Sequence, residues 1–291
     1  MGICDSTPET TRGNLRPLVV AAVLLAVYLA LEPAAAWPGW SAAGRLHPAV
    51  AAVLMLGFGT AFVAVVLGLV MALCRVPAPA WAEAVIAVVL GGCFGLARAA
   101  HWPHLAGDVF LVVAAVFLGR LVSRMLREPS ILLPVAVVAA AVDLWGVYWG
   151  FVSHVSKTAP EVTESLSAQV PQMADMPIEI PMVGAMGVGD FLFLALFVAA
   201  VDRLGLGLRR TFWALLVVLA AGPTLALLIP KWLFHSELEA LPGLPFIALA
   251  VLAANWRQVR PSREERVALL YAVLTVAAVI AAYLGIRQLI R

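Results

Sequence analysis

Apolar runs of about 20 residues, each long enough for a helix to cross a hydrocarbon core of about 30 Å, recur along the whole chain. They fall at about 17–37, 49–74, 80–99, 104–123, 131–152, 183–202, 211–230, 242–256 and 267–288, mostly with short polar connections between them. This pattern predicts an all-α, polytopic membrane protein of about nine transmembrane helices. Only the connection from Ser153 to Pro181 is long, so the expected architecture is one bundle over 1–291 rather than two domains. Within it, 1–130 forms an N-terminal four-helix part, 131–256 carries the polar motifs, and 257–291 adds a C-terminal helix. The first run follows a short polar tail, is long and lacks a clear small-residue cleavage site, so it reads as a retained span rather than a signal peptide.

Composition agrees with this reading. Of 291 residues, 63% are hydrophobic and 12% charged, with a mean hydropathy of +1.00, which is too little polar surface to coat a water-soluble globule. The net charge of +2 is dispersed over short loops, and no nucleic-acid partner is expected. Arginine and lysine orient the chain: with the N-terminus inside, 13 of the 19 fall on the inner side, among them Arg75, Arg120, Arg124 and Arg203, and six on the outer side. The alanine-rich, loop-poor build points to a prokaryotic inner membrane, N-terminus inside and C-terminus outside. Tryptophans such as Trp37, Trp81, Trp102 and Trp256 flank runs and read as interface anchors. Cys4, Cys74 and Cys93 lack zinc or redox spacing, and the five histidines have no thiol or carboxylate to complete a site, so neither metal nor cofactor is expected. Glu83, Arg98, Asp108 and Arg120 lie near the ends of runs, where they are expected to snorkel to the interface.

Two acidic positions do not fit that bland reading. Asp143 interrupts the fifth run and Asp190 the stretch Gly184 to Val198. An ionised Asp at mid-bilayer costs about 2.5–3.5 kcal/mol on insertion scales, so each needs a partner or a function. Asp143 is expected about eight residues, or about 12 Å, below the outer end of the fifth helix. The sixth helix, expected to start near Met182, places Asp190 about eight residues below the same face. Opposed carboxylates at one depth share a proton, leaving one as base and one as acid. An aspartyl protease dyad works this way: one Asp takes a proton from the attacking water, and the other shares its proton with the scissile carbonyl oxygen and later passes it to the leaving amine.

Glycine and proline surround the pair. Gly187 and Gly189 leave a strip without side chains before Asp190, on which helix or substrate backbone can approach. The eighth run opens with Pro242, Gly243, Leu244 and Pro245 and is about 15 residues long, too short to cross the core. This segment is expected to enter from the outer side as non-helical backbone, which is tolerated at depth where it lines a wet cavity.

Val142-Asp143-Leu144-Trp145, Gly187-Val188-Gly189-Asp190 and Pro242-Gly243-Leu244 together resemble the motifs of the presenilin and signal peptide peptidase family of intramembrane aspartyl proteases. In that family a first Asp follows a Tyr, a Gly-x-Gly-Asp motif opens the next helix, and a Pro-Ala-Leu segment begins a helix two further on. The resemblance covers about 131–256 and implies a presenilin-like bundle, with Asp143 and Asp190 catalytic and Gly187, Gly189, Pro242, Gly243, Leu244 and Pro245 shaping the substrate cleft. Val142 stands where the family has Tyr, and Gly243 replaces Ala, expected to add backbone freedom. The two Asp fall on the fifth and sixth runs, whereas family members carry them on helices six and seven. With the fifth helix running outward, the implied substrates are single-span segments with the N-terminus inside, such as type II membrane proteins or signal-peptide remnants.

Two alternatives stay open at this point. A proton-coupled transporter also uses membrane carboxylates, but no internal repeat or mirrored pair of broken spans is visible. A prepilin-peptidase-like protease shares Gly-x-Gly-Asp but lacks the third motif. Pro177 to Val183 alternates in polarity and is expected to pair as a strand with an unwound substrate, while the rest of the long acidic connection reads as solvated.

Overall fold

Proline and glycine set the ends of the helices in the computed structural model, which describes residues 15–37, 48–100, 102, 104–148, 155, 158, 167–169, 185–228, 242–259, 266, 267, 270, 271, 274 and 278. The order is α1 (Leu15–Ala35), α2 (Pro48–Cys74), α3 (Ala80–Ala99), α4 (His104–Ser123), α5 (Leu132–Tyr148), β1 (Ser167–Gln169), β2 (Ala185–Gly187), α6 (Val188–Arg203), α7 (Leu208–Leu228) and α8 (Leu244–Asn255). A 3-10 turn over Pro129–Ile131 leads into α5. Eight α-helices thus occur among the described residues, and the chain is mostly helical. The ninth predicted run, 267–288, falls almost wholly outside those residues. Four segments, Leu15–Ala35, Val53–Cys74, Ala80–Ala99 and Pro129–Val147, are helical, long and apolar enough to cross a membrane.

α6 lies at the centre. Phe191 and every residue from Leu194 to Val201 are buried, so this helix is covered on all sides. α4 and α2 pack against it, and so do α7 and α8; α3 packs on α4, and α1 on α2. Tyr28 of α1 meets Phe62 of α2 with ring centroids 5.8 Å apart. The outer helices carry large exposed apolar side chains, including Val19, Val23, Trp81, Val85 and Val88, as helices bordering lipid do. α6 ends in a Schellman turn: Gly205 has φ +67°, its N–H donates to the Asp202 carbonyl at 3.2 Å, and the Leu206 N–H donates to Val201 at 2.9 Å. The chain then reverses into α7, whose start is latched to the end of α8 by Asn255. The Asn255 side chain accepts from the Gly207 N–H at 3.1 Å and donates to Thr211 Oγ1 at 2.8 Å.

Three expectations need correction. The sixth helix begins at Val188, not near Met182, because Ala185–Gly187 is extended and pairs antiparallel with Ser167–Gln169. That pairing also draws part of the long connection out of solvent, with Ala168 2% exposed. The four charged residues near run ends do not snorkel. Glu83 is 1% exposed and pairs with Arg120 at 2.7 Å and with Arg124 at 2.8 Å; Asp108 pairs with Arg98 at 3.1 Å. A charge already facing an opposite charge gains less by reaching for water, so adjacent helices neutralise each other in place. The hydrogen bond to Glu83 holds the pKa of Arg124 above its usual range.

α4 and α6 approach closely enough for their backbones to touch. A Cβ on Gly119 would lie 2.9 Å from both Ala195 Cβ and the Leu196 nitrogen, with the Leu192 carbonyl closer still. Gly91 on α3 faces open space instead. Gly119→Ala is therefore expected to cost about 1–3 kcal/mol, read as a lowered Tm of the detergent-solubilised protein. Gly91→Ala should be neutral or slightly stabilising. Equal Tm changes for the two variants would refute the close crossing.

Candidate active site

The start of α6 and the start of α8 are built to present carboxylates and backbone donors to one another. Gly187 is the N-cap of α6, in extended conformation at φ −66° and ψ 149°, and Asp190 is the third helical residue. From there its carboxylate reaches back to accept the Gly187 N–H, as the acidic residue of a capping box does. Asp190 thus sits in the first turn of its helix rather than two turns inside it, as the early start predicted from sequence had implied. Asp143 lies on α5, five residues before the helix ends at Tyr148.

At the head of α8 the free donors are few. Pro245, in the first turn, has no N–H, and the Phe246 and Ile247 N–H groups both turn back to the Gly243 carbonyl at 3.1 Å. The Leu244 N–H remains, and it donates to Asp143 Oδ2 at 3.1 Å. This is a helix N-terminal donor meeting a carboxylate, the favourable sense of the helix dipole. Of the proline-glycine segment, Pro242 and Gly243 precede the helix, whereas Leu244 and Pro245 are its first turn, so the non-helical entry is shorter than expected.

Gly243 has ordinary right-handed angles, φ −82° and ψ −34°, so backbone freedom is not what the position requires. Space is. A Cβ there would lie 2.6 Å from Asp190 Oδ1 and 2.9 Å from its Cγ, so the Asp190 carboxylate rests against the bare Cα of Gly243. One peptide unit, Gly243–Leu244, therefore touches both carboxylates, and the two lie within electrostatic reach of each other.

The other predicted site residues surround this junction unevenly. Gly187 is near, with a built Cβ 3.7 Å from Asp190 Oδ2. Pro242 is buried and Pro245 half-buried, while Gly189 is exposed and a Cβ on it would meet nothing within 4 Å. Val142, where the resemblance calls for Tyr, is 49% exposed. The segment 177–183 and the side chain of Tyr148 lie outside the described residues. Among those residues no group of three or more His, Cys, Asp or Glu is placed to hold a metal. Sequence reasoning missed the first-turn bond from Leu244 to Asp143; the pairing of a Pro at the second helical position with an Asp at similar depth was the available signal.

No protein-family model, curated protein or solved structure matches this chain. The resemblance to intramembrane aspartyl proteases accordingly rests on the three short sequence motifs.

Gly243→Ala should push the Asp190 carboxylate off its rotamer, at a cost of about 0.5–1.5 kcal/mol. In an Asp190→Ala background the same substitution is expected to cost nothing, a coupling measurable by thermal unfolding of the four proteins of the double-mutant cycle. Additive effects would separate the two groups.

Proposed function

We propose that this protein is an intramembrane aspartyl endopeptidase of the presenilin and signal peptide peptidase type, with Asp143 and Asp190 as the dyad. The observation that carries the reading is the Gly243–Leu244 peptide unit, which brings the third motif against both carboxylates. Four long apolar helices support placement in a membrane, and the count of nine spans, the inner-membrane location and the N-inside orientation belong to this proposal.

Water held between the carboxylates loses a proton to the ionised Asp as it attacks the peptide carbonyl, and the protonated Asp hydrogen-bonds the developing oxyanion and then gives its proton to the leaving amine as the C–N bond breaks. No covalent intermediate forms. A helical substrate must first unwind, because its peptide groups are occupied by intrahelical hydrogen bonds. β2 supports a way to hold the opened chain: it runs directly into Asp190 and, among the described residues, pairs on one side only, with β1. The substrates are single-span segments with the N-terminus inside, in keeping with an outward-running α5.

Purified protein in detergent should cleave a synthetic transmembrane peptide, and Asp143→Ala and Asp190→Ala should each lower the rate by about 100-fold or more. Cleavage that survives both single substitutions rules out the dyad. Proton flux in vesicles that needs both Asp, with no peptide cleaved, transfers the pair to a transporter. Ile178→Pro and Ile180→Pro are expected to slow cleavage by removing edge donors; unchanged rates for both exclude strand pairing at that segment.

A further inference from the structure

Asp143 and Asp190 stand on helices that are anchored differently. α5, with Asp143, packs against α8, which packs against α7. α6, with Asp190, is held mainly by α4 and α2, and two of its contacts stand out. One is the backbone crossing at Gly119, which meets α6 over Leu192 to Leu196, within two turns of Asp190. The other is a charge cluster at the end of α6 remote from Asp190.

In that cluster Arg203, the last residue of α6, donates to the Ser123 and Leu126 carbonyls at the end of α4. The Ser123 hydroxyl donates to the Arg120 carbonyl at 2.6 Å. The Arg120 guanidinium donates to the carbonyls of Leu73 and Val76 at the end of α2 and pairs with Glu83 of α3 at 2.7 Å. Arg75, in the turn just after α2, reaches Asp202 of α6 at 3.6 Å. Glu83 is thus the buried anion that neutralises the arginine joining α2, α3 and α4, and Arg203 hands that assembly on to α6.

We infer that the helices α2 to α4 are a positioning device for Asp190, with Glu83 and Arg203 as its positioning residues. Their job is to hold α6 at the axial setting that seats Asp190 against Gly243. Removing the Glu83 charge leaves Arg120, 7% exposed, buried without its counter-ion, and α4 must move to rehydrate it. At Gly119 no side chain separates the two backbones, so a shift of α4 passes directly to α6. The catalytic consequence rests on the proposed dyad; the positioning itself does not.

The test uses the full chain with its three cysteines replaced by serine, carrying spin labels at Val142→Cys on α5 and Gly189→Cys on α6, both exposed positions. Pulsed electron-spin distance measurements should give a shifted or broadened distribution in Glu83→Gln and in Arg203→Gln, and the original one in Arg203→Lys, which keeps a donor and charge. Arg203 is exposed, so its variants keep the test open where Glu83→Gln fails to fold. In the unlabelled protein, kcat for the transmembrane peptide should fall by about 100-fold with KM unchanged, the cost of a displacement of about 1 Å. Distributions unchanged in both Gln variants overturn the inference, whatever the peptide does. A shifted distribution with kcat unchanged overturns its catalytic part. A shifted distribution in a protein that cleaves nothing, even unsubstituted, supports the positioning and removes the protease reading instead.

Discussion

A charge placed among apolar helices has to be met by something within a few ångströms, and this bundle is arranged around how it meets each one. Two kinds of answer are used. At the helix ends formed by α2, α3 and α4, Glu83 faces two guanidinium groups, and Arg120 and Arg203 spend their remaining donors on helix-terminal carbonyls. Asp143 and Asp190 are met differently: among the described residues, each accepts from one backbone N–H, of Leu244 and Gly187 respectively. A carboxylate has room for about four hydrogen bonds, so one backbone donor fixes its place while leaving lone pairs for a water or a substrate proton. The first arrangement saturates its charges, and the second leaves them usable.

The same contrast explains why α6 is central. It carries an acidic residue in its first turn and a basic one in its last, the favourable sense for its dipole, and between them an unbroken buried stretch. Its two ends therefore answer to different neighbours: the Asp190 end to α8, the Arg203 end to α4. The Schellman turn at Gly205 stops the helix immediately after Arg203, which keeps that guanidinium beside the α4 terminus.

Much of this was legible from residue order. Apolar runs located the eight described helices to within a few residues, since long unbroken runs admit few alternatives. Asp143, Asp190 and the Pro242–Pro245 segment were singled out as polar or helix-breaking residues in apolar surroundings, and the fold does bring them together. The start of α6 was misplaced because Ala185, Met186 and Gly187 are as apolar as a helix, and their extension depends on Ser167–Gln169, a partner distant in sequence. Glu83 and Arg120 looked like interface residues because pairing between helices leaves no periodic trace. The reason for Gly243 was hidden for a related cause: its constraint is the volume of a carboxylate 53 positions away, whereas a lone glycine in sequence suggests flexibility.

α8 spans only Leu244 to Asn255, about 18 Å at 1.5 Å per residue. Set in a hydrocarbon core of about 30 Å, such a helix cannot match the bilayer on its own. Wherever lipid borders it, the bilayer would thin or head groups would dip, at a cost of a fraction of a kcal/mol per ångström. The helix that carries Gly243 and Leu244 would then act as an elastic defect in the membrane, drawing the aqueous boundary toward the two carboxylates. Under the proposed function, water would reach the two carboxylates through that deformation, and thicker bilayers would starve the site.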